Sequence, residues 1–155
     1  MRRATAADGD AVVGAVGRLL AELRARPGER APAGARAAFD RLATDPDAGA
    51  VVIAVDGDAL TGVIAASYGW AVHAGGRVAV IQELWVAPDA RGAGTGAALV
   101  EAVVAAARER GVTTVEVGLP RPSFAGSERT RAFYERCGFE TVGPRMRRKV
   151  AGGAP

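Results

Sequence analysis

The stretch Val86-Ala-Pro88-Asp-Ala-Arg91-Gly92-Ala-Gly94-Thr-Gly96-Ala-Ala-Leu99 constrains the fold more than any other in this chain. An apolar β run ends at a proline, three glycines stand on alternate positions, and an apolar helical pattern begins at once. The strand–helix–strand from Val80 through Leu119 implies a parallel crossover, which should be right-handed. The glycines leave no side chains between the backbone and a ligand. Their N–H groups, at the start of a helix whose dipole adds positive potential, form an anion site. A phosphate or pyrophosphate is the guest that such a turn takes.

The rest of the chain supplies the remaining layers. Arg2–Thr5 is expected as a short strand, and Asp8 as the N-cap of a helix running to about Leu23, with Val12, Val16, Leu19, Leu20 and Leu23 at helical spacing. The breaker-rich residues 26–34 lead to a second helix, Ala35 to Ala43. Ala50–Val55 and Ala59–Trp70 form a hairpin around Asp56-Gly57-Asp58, and Arg77–Val86 follows the turn at His73. A long helix from Gly94 to Arg110 closes at Gly111, followed by a strand Val115–Leu119 and a helix Ser127–Arg136. Phe139–Val142 and Met146–Val150 are expected as a final β pair. The predicted fold is α/β: a mixed, mostly antiparallel central sheet of about seven strands with helices on both faces. Residues 1–150 read as one domain and 151–155 as a tail.

Composition excludes more than it selects. A chain of 155 residues suits one domain with a real core. No apolar run approaches the roughly 18 residues of a membrane span, and the first residues lack a signal-peptide core. Cys137 is the sole cysteine, so an internal disulfide is excluded and a reducing, cytoplasmic setting is expected. The net charge of +3 invites a nucleic-acid reading. The arginines are scattered, however, and the one dense cluster, Arg145, Arg147, Arg148 and Lys149, is explained as well by a strand or frayed tail. Neither nucleic acid nor membrane is expected as a partner.

Three readings compete for the glycine turn. A P-loop requires Gly-Lys-Ser/Thr, and no lysine stands in the turn. Gly92-x-Gly94-x-x-Ala97 matches the dinucleotide fingerprint formally, with Glu116 at a suitable distance. Glu116 is expected near the start of its strand, where the ribose-binding acid belongs at the end. Only about 60 residues follow the turn, too few for a doubly wound sheet. A turn that binds nothing would leave the backbone entropy of three glycines without a reason.

The remaining match is to a family. Val86-Ala-Pro88 followed by Arg91-Gly-Ala-Gly94-Thr-Gly96 resembles the phosphate motif Arg/Gln-x-x-Gly-x-Gly/Ala of the GNAT acetyltransferases, and Phe133-Tyr134-Glu135-Arg-Cys-Gly138-Phe139 resembles a second motif of that superfamily. The resemblance covers nearly the whole chain and is strongest from Val80 to Phe139. It implies acetyl-CoA as co-substrate, no metal, and an amine as acceptor. The expected activity is N-acetylation of a primary amine, of a small molecule in the first instance, by direct attack in a ternary complex. A protein N-terminus or lysine is the alternative acceptor, and a non-catalytic acyl-CoA sensor the alternative function. Exposed strand edges leave a homodimer open.

The resemblance also places roles on residues. The acyl chain and pantetheine are expected along the backbone of Leu84, Trp85 and Val86, with the N–H of Val86 polarising the thioester carbonyl. The pyrophosphate is expected on N–H groups of Gly92, Ala93, Gly94, Thr95, Gly96 and Ala97, with Arg91 opening the turn. Alkyl amines are protonated at neutral pH, so a base must act. Glu83 is the first candidate, on the same strand face as Trp85, against the alternative of a carboxylate paired with an arginine; Glu116 is the second. Tyr134 matches the family's general acid for the leaving thiolate, against a tyrosine that only packs its ring. Ser127 stands where the family often has an asparagine that contacts pantetheine, and it is also expected to cap its helix. His73, in a turn, is expected at the surface, and Cys137 has no histidine partner for an acyl-enzyme route.

Overall fold

The apolar runs pair into a five-stranded sheet in the computed structural model, which describes residues 1–148. Strands β1 (Arg2–Arg3), β2 (Gly49–Asp56), β3 (Ala59–Ala71), β4 (Gly76–Val86) and β5 (Val112–Val117) lie side by side in chain order. The first three pairings are antiparallel, the second and third of them closed by hairpins at Gly57 and Gly75, both at positive φ. The β4–β5 pairing is parallel, because a helix crosses between them.

Helices α1 (Gly9–Arg24) and α2 (Ala35–Thr44) cover one face of the sheet, and α3 (Thr95–Arg108) and α4 (Ser127–Arg136) the other. Strand β2 shows the consequence for sequence. Val51 and Ile53 pack toward α1 and α2, while Ala50, Val52 and Ala54 pack toward α3, so both faces are buried and the strand is a continuous apolar run. Helix α4 has the expected bounds, and the other long elements shift by one to three residues at their ends.

Four expectations need correction. The sheet has five strands among the described residues, not about seven. Phe139–Val142 and Met146–Arg148 form no strand, since Gly143 (φ +142°) and Pro144 break the run and Val142 and Met146 stand 91% and 99% exposed, with no core face to alternate against. The last two residues of that expected strand and the tail 151–155 lie outside the described residues. Strand β5 starts at Val112, directly after Gly111 (φ +70°), so Glu116 lies near its end and not near its start. Asp8 stands at the N-cap position of α1, as expected, but its side chain makes no cap hydrogen bond there. It closes a 3-10 turn, Ala6–Asp8, where its carboxylate accepts from the N–H and hydroxyl of Thr5 and from two nitrogens of Arg2, which hold its pKa well below the usual carboxylate range.

One irregularity positions the site. Ala65 pairs with Glu83 but Ala66 with Ile81, so Gln82 is an extra residue in β4. In a regular strand Ile81 and Glu83, two positions apart, would share a face. With the extra residue Ile81 joins the core under α3, while Glu83, beside Ala65, faces α1 and α2. No helix among the described residues is long and apolar enough to cross a membrane.

The tightest backbone approach in the sheet is at Gly49, where a Cβ would lie 2.2 Å from the Ala66 carbonyl oxygen and 2.6 Å from Leu42 Cδ2. Gly49→Ala is expected to destabilise the fold by about 1–3 kcal/mol in chemical denaturation. Gly69→Ala, where nothing lies within 4 Å, should change it by less than about 0.5 kcal/mol.

Candidate active site

Strand β4 parts from β5 halfway along. Their last paired residues are Ile81 and Val117, so Leu84 and Val86 have no strand on that side among the described residues. The direction of their peptide groups follows from register. The Ala87 N–H donates to the Thr61 carbonyl at 2.9 Å, and Gly62 pairs with Val86. Hydrogen-bonded and open pairs alternate in an antiparallel ladder, so the N–H and C=O groups of Val86 and Leu84 point away from β3, into the gap. Arg91 Nε donates to the Val86 carbonyl at 2.9 Å, and the Val86 N–H has no partner among the described residues. The peptide groups of Trp85, by the same alternation, are turned to Val63 in β3. Its side chain lies on the α1 and α2 face, 4% exposed.

The glycine turn sits at the mouth of this gap. Gly92 and Gly94 have φ of +83° and +85°, conformations that other residues adopt only with strain. The first backbone hydrogen bond of α3 runs from the Ala98 N–H to the Gly94 carbonyl, at 3.0 Å. The N–H groups of Thr95, Gly96 and Ala97 therefore lack intrahelical partners, and no side chain caps them. A Cβ at Gly92 or Gly94 would meet nothing within 4 Å, so the space above the turn is open. Gly96 differs. A Cβ there would lie 3.3 Å from the Phe133 ring, so this glycine lets α4 close onto α3. Ala93 is exposed in the turn.

Arg91 does not lie over the turn. Its Nη2 reaches α1 and donates to both Glu22 oxygens, at 2.8 and 2.9 Å. Glu22 also accepts from Trp85 Nε1 at 3.3 Å, and the Arg18 guanidinium lies 4.5 Å over the Trp85 ring. The sequence reading missed Glu22 and Arg18. Their contacts join residues more than 60 positions apart, and a charged residue on a helix carries no local sign of such a partner.

Glu83 is partly buried and makes no hydrogen bond or ion pair among the described residues, so the pairing with an arginine is not observed. Burial raises its carboxyl pKa. Glu116 shares its face, since Val115 and Val117 on either side pack toward α3. Tyr134 lies on α4, 7% exposed, between Phe133 and Phe139 with ring centroids 5.0 and 5.4 Å away. Burial, aided by Cys137, pushes its pKa far up and keeps the phenol protonated. Gly138 at φ +83° ends α4 and lets the Phe139 N–H bond back to the Tyr134 carbonyl at 3.0 Å. Phe-Tyr-Glu-x-x-Gly-Phe is thus an aromatic cluster locked by one helix end.

Ser127 is the first residue of α4 and not its cap, which is Gly126; its hydroxyl faces the Pro122 carbonyl at 3.4 Å. Burial raises the pKa of Cys137 and holds it as a thiol. His73 is exposed in the β3–β4 turn. Among the described residues no group of His, Cys, Asp or Glu is arranged to hold a metal ion.

Known proteins share this fold. Residues 8–139 match the family model described as the acetyltransferase (GNAT) family. An integron cassette protein from the mobile metagenome of Cole Harbour Salt Marsh is 29% identical, with a TM-score of 0.74 over 99% of this chain and 91% of its own. A predicted acetyltransferase from Clostridium acetobutylicum, solved with acetyl-CoA, is 17% identical, with a TM-score of 0.76 over 96% and 94% of the two chains. AAC(6')-Iy, solved with the bisubstrate analogue CoA-S-monomethyl-acetylneamine, is 18% identical, with a TM-score of 0.75 over 96% and 95%. No curated protein matches in sequence. An uncapped glycine turn beside a parted strand, within a domain matched over most of its length, leads to one conclusion: the chain belongs to the GNAT acetyltransferase family, and is an acyltransferase.

Proposed function

We propose that this protein transfers the acetyl group of acetyl-CoA to a primary amine of a small molecule, by direct attack within a ternary complex. The observation that carries the reading is the juxtaposition of the gap beside Val86 with the open, uncapped turn at Gly92 to Ala97. The pyrophosphate lies on the free N–H groups of the turn and the first residues of α3. Pantetheine runs along the Leu84 peptide groups, with Ser127 beside it, and the thioester carbonyl accepts from the Val86 N–H. Trp85 contributes its side chain and not its backbone. Acetyl-CoA and a bisubstrate analogue are bound by the two neighbours named above, and the analogue's acceptor half, a small-molecule amine, is consistent with that acceptor class.

The two candidate side chains lie on opposite faces of the sheet. Glu83 faces α1 and α2, and Tyr134, on α4, packs with α3 on the other face. Glu83, its pKa raised, takes a proton from the acceptor ammonium. The neutral nitrogen attacks the acetyl carbon, and the negative charge that develops on oxygen is met by the Val86 N–H. The intermediate collapses with loss of the thiolate, which Tyr134 protonates from the other face. One C–N bond forms and one C–S bond breaks; of the two protons the nitrogen gives up, the first ends on Glu83 and the second replaces the one that Tyr134 gave to the thiolate.

Calorimetric titration should show saturable acetyl-CoA binding that Gly94→Glu abolishes, because a carboxylate at that position fills the anion site. Failure of the wild type to bind would overturn the reading. With an acceptor in hand, Glu83→Gln is expected to lower kcat by about 10²–10⁴-fold. Wild-type kcat should rise with pH, with a midpoint above the ordinary carboxylate range. The sign for stability is opposite: a carboxyl whose folded pKa is raised costs stability as pH climbs from its unfolded to its folded value. Glu83→Gln should therefore be at least as stable as wild type at pH 7, as thermal denaturation would show. Tyr134→Phe should lower kcat while acetyl-CoA affinity stays within about two-fold.

A further inference from the structure

Arg91 is the residue before Gly92, so its side chain has the reach to serve the donor turn, yet it is held by α1. Its Nε and Nη2 are taken by the Val86 carbonyl and by both Glu22 oxygens, and Nη1 has no partner among the described residues. The pair is half-exposed, with side-chain exposures of 42% for Arg91 and 40% for Glu22, so it is weak and exchangeable. Phosphate oxygens, by contrast, match the guanidinium fork with two parallel hydrogen bonds. Glu22 is also the one charged residue lining an open cleft of about 390 Å³, whose other walls are Ala21, Ala25 and Pro27.

We infer that the donor phosphates and Glu22 compete for Arg91, and that donor binding releases the Glu22 carboxylate to hold a cation of the acceptor. The inference rests on the acetyl-CoA reading above. Before the donor binds, Arg91 neutralises Glu22 and an ammonium gains little there. Once Arg91 has turned to phosphate, Glu22 keeps its bond from Trp85 Nε1 but has lost its ion-pair partner, with the Arg18 guanidinium over the Trp85 ring as the remaining cation nearby, and a carboxylate beside apolar walls suits an alkylammonium. The amine that attacks the thioester must be neutral, so the cation at Glu22 is a second one. The acceptor class is thus a molecule with at least two amino groups, and the donor is the partner that binds first.

The donor half is tested without any acceptor. Acetyl-CoA is titrated calorimetrically into wild type, Glu22→Gln, Arg91→Gln and the double variant. Glutamine keeps an acceptor for Trp85 Nε1, and circular dichroism checks the fold of each. Glu22→Gln should bind acetyl-CoA about two- to five-fold more tightly, the size of an exposed ion pair. In the Arg91→Gln background the same change should have no effect. Unchanged or weaker binding by Glu22→Gln overturns the inference, as does an equal gain without Arg91, which would reflect net charge alone. A wild type that does not bind acetyl-CoA at all is instead a failure of the donor reading.

The acceptor half uses 1,4-diaminobutane, titrated with and without saturating CoA. Binding should appear with CoA and weaken at least five-fold in Glu22→Gln. Binding that does not depend on CoA, or no binding to the CoA-loaded protein, overturns the cation site.

Discussion

Everything about the site depends on where β4 stops pairing with β5. Strand β5 ends at Val117, and Gly118 and Pro120 follow, the second without an N–H to extend the ladder. Strand β4 continues for five residues past the last pair, held on its other edge by β3 and by the bond from the Ala87 N–H to Thr61. The result is a run of backbone fixed on one side and unpaired on the other. An unpaired buried peptide group costs about 1–3 kcal/mol unless something satisfies it. Leaving the Leu84 peptide groups and the Val86 N–H, in partly buried positions, without a strand partner among the described residues is the feature of the sheet that calls for a ligand with polar groups along its length.

The bulge at Gln82 gives the gap its chemistry. A regular β4 would have put residue 83 on the same face as Ile81, beneath α3, where the aromatic residues of α4 also pack. The extra residue moves Glu83 to the face of α1 and α2 and leaves Tyr134 on the other. Both groups are desolvated, with opposite usefulness: burial makes a carboxylate a better proton acceptor near neutrality and keeps a phenol protonated. One inserted residue thereby separates an acid from a base across a sheet.

The parts of this arrangement legible in the sequence were those encoded locally. The apolar runs of β2, β3 and β4, the turn at Asp56-Gly57-Asp58, and Gly111 after α3 each act over a few residues. The same holds for the turn at Gly92 to Gly96 and for the placing of Glu83 and Trp85 on one face. What escaped was set by partners far away in the chain. Gln82 becomes a bulge only through its register with Ala65 and Ala66. Asp8 has the chemistry of a cap, but Arg2 and Thr5 claim its carboxylate first. The final β pair had suitable alternation and no face to bury, and Gly143-Pro144 broke it.

The alternate glycines show how one pattern can carry separate physical demands. Gly92 and Gly94 are required by backbone conformation, and the space above them is open, so any side chain there would strain the turn and intrude on the anion site together. Gly96 has no positive φ to satisfy; what it lacks is room, because Phe133 stands against it. Phe133 belongs to the second motif, beside Tyr134, so the third glycine sets how closely α4 approaches the start of α3. The two motifs, 37 residues apart from Gly96 to Phe133 by number (133 − 96), therefore meet at one contact. A substitution at Gly96 would act on the placement of Tyr134 as well as on the donor, whereas one at Gly94 would act on the donor alone. The phosphate turn and the candidate acid are thus joined through packing, which is why the spacing within each motif could be read separately while their connection required the fold.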